Sequence, residues 1–158
     1  MLRLLIIGVG NPLRSDDGLG LHVVNELSRE PLPDDIQIIA TQQLTPELSD
    51  FASHAQQVLF IDAAHGGRPG TFKCEQILPS ATPGRHSHDM SPAGILKLAQ
   101  ELYGRCPPAY LLTIAGESFA AGDALSAAVV ASIPALKAQI CHFMDRRKED
   151  RRKEEGPR

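Results

Sequence analysis

Hydrophobic and polar residues alternate along the chain in blocks that are typical of strands, each followed by a helix. Residues 2–8 form an almost unbroken apolar run, as expected for a strand buried on both faces of a sheet. Residues 18–30 instead repeat their apolar positions at helical spacing, and Pro31 and Pro33 end that segment. The chain is therefore predicted to begin with a strand, a tight glycine-containing turn and a helix.

The remaining blocks continue this alternation. Further strands are predicted at 36–41, 57–61, 71–78 and 109–115. Further helices are predicted to begin at Thr45, as N-cap before Pro46, at Ser91 before Pro92, and at Ser126. This order predicts an α/β fold: a single domain, residues 1–144, with a mostly parallel twisted sheet of about five strands and helices on both faces. Residues 145–158 are nearly all charged, have no apolar stripe, and are predicted to form a disordered tail.

Composition excludes several classes of protein. The 158 residues are 42% hydrophobic and 22% charged, and the net charge of -3 gives no general attraction to nucleic acid or to an anionic membrane. The apolar runs are shorter than the roughly 20 residues of a membrane span. Cys74, Cys106 and Cys141 are odd in number and far apart, so neither a disulfide framework nor a Cys-x-x-Cys metal site is predicted. We expect a reducing, cytoplasmic compartment.

The turn after the first strand carries the most specific chemistry. Its sequence from Gly8 to Gly20 places glycines where many α/β proteins bind a phosphate at a helix N-terminus. However, Leu13 stands where a dinucleotide fingerprint needs a third small residue, and Asp16 and Asp17 would repel a pyrophosphate. Capping of the following helix accounts for one of these carboxylates. The second carboxylate indicates a site for a cation.

A second acidic residue is predicted at the same edge of the sheet. Asp62 closes the third predicted strand, and the carboxyl ends of parallel strands form the usual ligand-binding edge. Nearby histidines are His65 in the next turn, and His86 and His88 in the polar loop before the helix that begins at Ser91. Two carboxylates and one imidazole form a mixed oxygen and nitrogen ligand set that leaves open coordination positions on a metal.

Five stretches in this order resemble one family. They are residues 8–20, residues 43–48, residues 61–63, residues 87–91 and residues 116–119. Together they resemble the hydrogenase maturation proteases, the endopeptidases that trim the large subunit of nickel–iron hydrogenases. The resemblance extends from Leu2 to about Phe143. The chain departs from the usual family pattern at Gln42 and Gln43, where glycine is frequent, and this difference is expected to change contacts with the substrate.

The resemblance implies a metal site and a substrate. Its three metal ligands, which are also its catalytic residues, correspond to Asp17, Asp62 and His88, with His86 as the alternative histidine. It further implies that nickel arrives with the hydrogenase large-subunit precursor as a recognition mark, and that zinc or cadmium can substitute for it in crystals. The protein is then expected to be a cytoplasmic monomer that cuts off the C-terminal extension of that precursor.

The chemical step and one competing function stay open at this level. The metal could polarise the scissile carbonyl or generate hydroxide, or Asp16 or Asp62 could act as a general base while the metal serves only for docking. The chain has no His-Glu-x-x-His zinc-protease motif and no Gly-x-Ser-x-Gly elbow. The alternative function is a non-catalytic metal-binding or peptide-binding accessory protein in hydrogenase assembly.

Overall fold

The computed structural model describes residues 1–84 and 89–145. Its five strands are β1 (Leu4–Val9), β2 (Ile36–Thr41), β3 (Val58–Ala64), β4 (Phe72–Ile77) and β5 (Ala109–Ala115). They form one sheet in the order β2-β1-β3-β5-β4, in which only β4 runs antiparallel to its neighbour. The predicted α/β fold with a mostly parallel five-stranded sheet is confirmed.

Four α-helices cover both faces of this sheet, as predicted. They are α1 (Leu19–Leu27), α2 (Leu48–Ser53), α3 (Pro92–Tyr103) and α4 (Ala127–Asp145). Helices α1 and α4 pack on one face, against Leu4 and Ile6 of β1, while α2 and α3 pack on the other face, against Leu5 and Ile7. All four of these side chains are fully buried, which explains why this strand reads as a continuous apolar run.

Most predicted elements lie where the sequence pattern places them, but the predicted start of one helix was wrong. The bounds of β2 and β5 coincide with the prediction, and the Ser91 hydroxyl caps α3 by accepting a hydrogen bond of 3.0 Å from the N–H of Gly94. Helix α2, however, begins at Leu48 rather than after an N-cap at Thr45. The carbonyl of Thr45 accepts the N–H of Leu48 at 3.1 Å, so the residues that resemble a capped helix start form a preceding turn.

Helix α4 is long and apolar enough, at 19 residues, to pass a length-and-composition test for a membrane span. Its inward face explains this composition, because Val129, Ile133, Leu136, Ile140 and Phe143 are buried against the sheet. At the flank of this face, the half-buried Lys137 places its ammonium 2.8 Å from the Glu26 carboxylate of α1. The helix therefore has the pattern of a core helix that packs on one face of a sheet.

The sheet topology defines a ligand-binding edge. From β1 the chain passes to β2 on one side and then to β3 on the other, so the strand order reverses between β1 and β3. Open α/β sheets bind ligands outside the carboxyl ends of the strands at such a switch point. Helix α1 approaches this edge closely: a Cβ on Gly20 would lie 2.4 Å from the carbonyl oxygen of Val9 and 2.5 Å from that of Ile61.

Candidate functional site

A compact turn carries Asp17 from the end of β1 to the ligand-binding edge. Gly10 has a φ of +148°, and a Cβ there would lie 1.8 Å from the Asp17 carbonyl oxygen, so the turn closes on itself only with glycine. Residues Ser15–Gly18 form one 3-10 turn ahead of α1. The N–H of Asn11 donates to Asp17 Oδ2 at 2.9 Å and fixes that carboxylate, which is 8% exposed.

Asp62 comes from the neighbouring strand. It lies within β3, which continues for two residues beyond it, rather than at the strand end predicted from the sequence. Its Oδ1 accepts the N–H of Ala63 at 2.8 Å. The last residue pair between β1 and β3 joins Gly8 to Ile61, so Asp62 follows directly where the two strands part. Asp62 therefore stands beside the turn that carries Asp17.

Both carboxylates line one cleft with a volume of about 570 Å³. Asp89 is a third acidic residue in its wall, and Arg14 is the one Lys or Arg among the described residues that line it. The amide side chains of Gln42 and Gln43 line the wall formed by the segment after β2. An acidic cleft with amide and apolar walls can attract a cation and accommodate a peptide segment beside it.

The predicted histidine ligands, His86 and His88, lie outside the described residues. Gly84 and Asp89, which flank that segment in the chain, both line the cleft. They are joined by a hydrogen bond of 3.0 Å from the Gly84 N–H to the Asp89 carbonyl. Within residues 1–84 and 89–145, no three His, Cys, Asp or Glu side chains are grouped closely enough to hold a metal. The histidine of the three-ligand site stays a prediction.

Asp16 has surroundings quite different from those of Asp17. Its carboxylate is fully buried and accepts backbone N–H groups from Ser126 at 2.7 Å, Glu117 at 2.8 Å and Ser118 at 3.1 Å. Burial by itself raises the pKa of Asp16. These hydrogen bonds and one from the Ser126 side chain together lower the pKa by more than burial raises it, so it lies below its ordinary value. A carboxylate with a lowered pKa and these partners is a poor general base.

The other sequence candidates are placed elsewhere. The imidazole of His65 stacks on the ring of Phe119, with 3.6 Å between ring centroids and 19° between planes, and it does not line the cleft. The three cysteines form no disulfide, and none of them lines the cleft, so no cysteine is placed as its nucleophile. Burial raises the pKa of Cys106, which makes that thiol less reactive still.

One polar contact of the cleft was missed by the sequence analysis. The Gln43 amide Nε2 donates a hydrogen bond of 2.6 Å to Asp89 Oδ1 and so joins the segment after β2 to the loop before α3. The departure from the family pattern at Gln43 was noticed in the sequence. Its partner lies 46 residues away, and no local pattern identifies a contact over that separation.

Comparisons with known proteins show what the chain is similar to. No family model matches the chain. The hydrogenase expression/formation protein HupD of Bradyrhizobium diazoefficiens is 32% identical over 113 residues, which cover 66% of this chain and 57% of HupD. The match therefore spans little more than half the length of that curated relative.

Solved structures share the fold over nearly the whole chain. The hydrogenase maturating endopeptidase HybD from E. coli aligns with a TM-score of 0.73 and 26% identity, covering 87% of this chain and 89% of HybD. The [NiFe] hydrogenase maturation protease HycI from Thermococcus kodakarensis also has a TM-score of 0.73; at 20% identity, with 90% and 92% coverage, it shows the common fold. These comparisons confirm the family resemblance predicted from the sequence motifs.

Proposed function

We propose that this chain, which is similar in sequence and fold to hydrogenase maturation endopeptidases, is itself an endopeptidase. Its proposed substrate is the nickel-loaded large-subunit precursor of a nickel–iron hydrogenase, from which it removes the C-terminal extension. The observation that carries this proposal is the convergence of Asp17 and Asp62, from separate elements, on one open cleft at the switch point of the sheet. The proposed working form is a cytoplasmic monomer.

Nickel enters this proposal as part of the substrate. Asp17 and Asp62 offer oxygen ligands on one side of the cleft, and His88 is proposed to add the nitrogen ligand. Three protein ligands leave coordination positions for groups of the precursor, so the metal can join the two proteins during the reaction. Carboxylates bind nickel less tightly than thiolates do, which favours release of the metal with the product.

The cleft offers groups for holding the peptide next to that metal. The amides of Gln42 and Gln43 can donate to and accept from a peptide backbone, and Met90 and Pro92 supply apolar wall beyond them. Holding the scissile bond close to the reacting water contributes a large part of the rate enhancement in enzymatic peptide-bond hydrolysis. The segment after β2 is therefore proposed as the docking wall for the extension.

The hydrolytic step needs a proton acceptor as well as a positioned water. In the proposed step the water oxygen adds to the carbonyl carbon, the C–N bond breaks, and the released amine takes up a proton that came from the water. A bound nickel ion would polarise the carbonyl as a Lewis acid. Of the two aspartates that the sequence left as candidate bases, Asp62 faces the cleft, whereas Asp16 is buried and fully engaged. Asp62 is therefore the proposed acceptor of the water proton, through the carboxylate oxygen that does not bind the metal.

The decisive test is whether the precursor becomes shorter. Purified nickel-loaded large-subunit precursor is incubated with the wild-type protein, with Asp62→Ala, or with a surface control such as Asp34→Asn, and the masses are measured. The proposal predicts release of a C-terminal peptide by the wild type and by Asp34→Asn only. Tight binding with no change in mass would favour the non-catalytic accessory protein instead.

A further inference from the structure

A loop between β5 and α4, residues 116–126, is hydrogen-bonded to the turn that carries Asp17, and Asp16 makes four of these bonds. The three backbone N–H groups that Asp16 accepts all come from this loop, between 101 and 110 residues along the chain. The N–H of Asp16 itself donates to the Ser118 carbonyl at 3.0 Å. Hydrogen bonds to a buried carboxylate are among the stronger ones in proteins, so this carboxylate acts as a clamp between the two segments.

The backbone beside Asp16 is strained, and the same loop holds it in place. Ser15 has a φ of +52°, the only positive value for a residue other than glycine within residues 1–84 and 89–145. Its N–H donates to the Gly122 carbonyl at 2.8 Å, and its hydroxyl donates to the Ala120 carbonyl at 2.8 Å. Strain of this kind persists where neighbouring contacts determine the conformation, and it occurs often at functional sites.

The loop also contacts the end of the strand that carries Asp62. Phe119 stacks on His65, the residue that follows β3, and its ring leaves no room for a Cβ on Gly116, which would lie 2.5 Å from the ring. Asp62 lies three residues before His65 in the chain. The loop is thus hydrogen-bonded to the turn of one proposed metal ligand and stacked against the end of the strand that carries the other.

From these contacts we propose that Asp16 is a positioning residue. It clamps the 116–126 loop and thereby sets the placement of Asp17 relative to Asp62, without touching the metal or the peptide itself. This inference rests on the proposed function for its effect on turnover, but the clamp can be measured without any substrate. The two adjacent aspartates then have separate roles. Asp17 faces the cleft, and Asp16 fixes the turn that orients Asp17.

The test combines amide hydrogen exchange with kinetics. Asp16→Asn preserves the shape of the side chain but turns one acceptor into an NH₂ group that faces N–H donors. Asp123→Asn is the matched control, because Asp123 is an exposed carboxylate on the same loop. Exchange is followed at Glu117, Ser118 and Ser126, which report the clamp, and at Asn11, whose N–H binds Asp17 Oδ2. The exchange of β1 amides serves as the reference for global stability.

The inference predicts faster exchange in Asp16→Asn at the three loop amides and at Asn11, relative to β1. It also predicts a kcat for precursor cleavage that is lower by roughly 10–100-fold with a nearly unchanged KM, as expected when positioning is lost and binding is kept. The control should match the wild type in both readouts. If Asp16→Asn does not fold, Ser126→Ala, which removes the side-chain hydrogen bond from Ser126 to Asp16 and keeps the carboxylate, should show the same pattern in both readouts with smaller changes.

Two results would overturn the inference. Unchanged exchange at Asn11 in a folded Asp16→Asn variant would mean that the clamp does not position Asp17. A wild-type kcat, or a loss confined to KM, would remove Asp16 from the positioning of the site. If the wild type itself fails to shorten the precursor, the proposed function fails, and exchange at Asn11 alone then decides the inference.

Discussion

The backbone N–H of Asn11 donates to Asp17 Oδ2 across a distance of 2.9 Å. The carboxylate at the cleft is therefore oriented by the main chain of its own turn. The other side of the turn is held by Asp16, whose carboxylate accepts three backbone N–H groups of the 116–126 loop. Asp17 can therefore be substituted while the hydrogen bonds between Asp16 and the loop are kept.

Substitution of Asp17 should abolish precursor cleavage and leave the fold intact. Asp17→Asn retains an oxygen that can accept the Asn11 N–H but loses the charge, whereas Asp17→Ala loses both. Loss of that acceptor costs on the order of 1 kcal/mol. When no metal is bound, removal of the Asp17 charge also relieves repulsion from Asp62 and Asp89, which offsets this cost.

The measurements are thermal unfolding and a cleavage assay on both variants. Tm is expected to change by no more than about 2–4 °C, the shift that 1 kcal/mol produces in a domain of this size. Cleavage at the wild-type rate by Asp17→Asn would show that the charge at this position is not needed.

A metal ion should bind where Asp17, Asp62 and the predicted His88 meet. In a crystal soaked with zinc, the carboxylate oxygens are expected at about 2.0–2.2 Å from the ion. His86→Ala should leave this site occupied, and His88→Ala should weaken it. An ion bound at His86 or His65, with Asp17 turned away, would refute the ligand assignment.

The stability that Asp16 provides should depend on pH in the acid range. Because hydrogen bonds hold its pKa in the folded state below the ordinary value of 3.8, the folded protein releases this proton more readily than the unfolded chain does. The resulting stabilisation is fully present above the ordinary value and is lost as the pH falls through the lowered pKa.

Urea unfolding of the wild type and Asp16→Asn at several pH values checks this expectation. The difference in the free energy of unfolding should be constant above about pH 5 and shrink toward about pH 2. A difference that stays constant down to the lowest pH would show that the carboxylate charge is not what holds the loop.

Local sequence patterns predicted the parts of the molecule that local physics determines. The apolar run of β1 and the Ser91 cap of α3 follow from burial and from unpaired helix N–H groups, and both are present. The predicted start of α2 was wrong because Thr45 and Pro46 suit a turn as well as a helix cap. The pairing of Asp17 with Asp62 in one cleft was predictable, because parallel strands end at a common edge.

Contacts between distant segments could not be predicted in this way. Asp16 and Asp17 are identical neighbours in the sequence, so local patterns cannot tell them apart. The 116–126 loop, about 100 residues later, binds the Asp16 carboxylate, whereas Asp17 lines the cleft. Stacking of His65 on Phe119 has the same origin. In the sequence, His65 resembles a metal ligand because it lies in a glycine-rich turn close to Asp62, and its contact with Phe119 is visible only in the structure.

Removal of the charged tail should leave the protein nearly unchanged. Helix α4 ends at Asp145, and its buried positions end with Phe143, so deletion of residues 146–158 removes no apolar contact of the described core. Tm and the rate of precursor cleavage are expected to match those of the full chain. A fall in Tm beyond about 2–4 °C would correspond to more than roughly 1 kcal/mol of lost packing and would show that the tail contributes to the fold.

The protein is proposed to recognise nickel carried by its substrate through the acidic cleft. The most direct measurement compares cleavage of nickel-loaded and metal-free large-subunit precursor by the wild-type protein, at equal and at excess enzyme, with the product mass as readout. Release of the C-terminal extension is expected from the nickel-loaded precursor alone, because without the metal the scissile bond is not positioned at Asp17 and Asp62. Equal trimming of the metal-free precursor would contradict it.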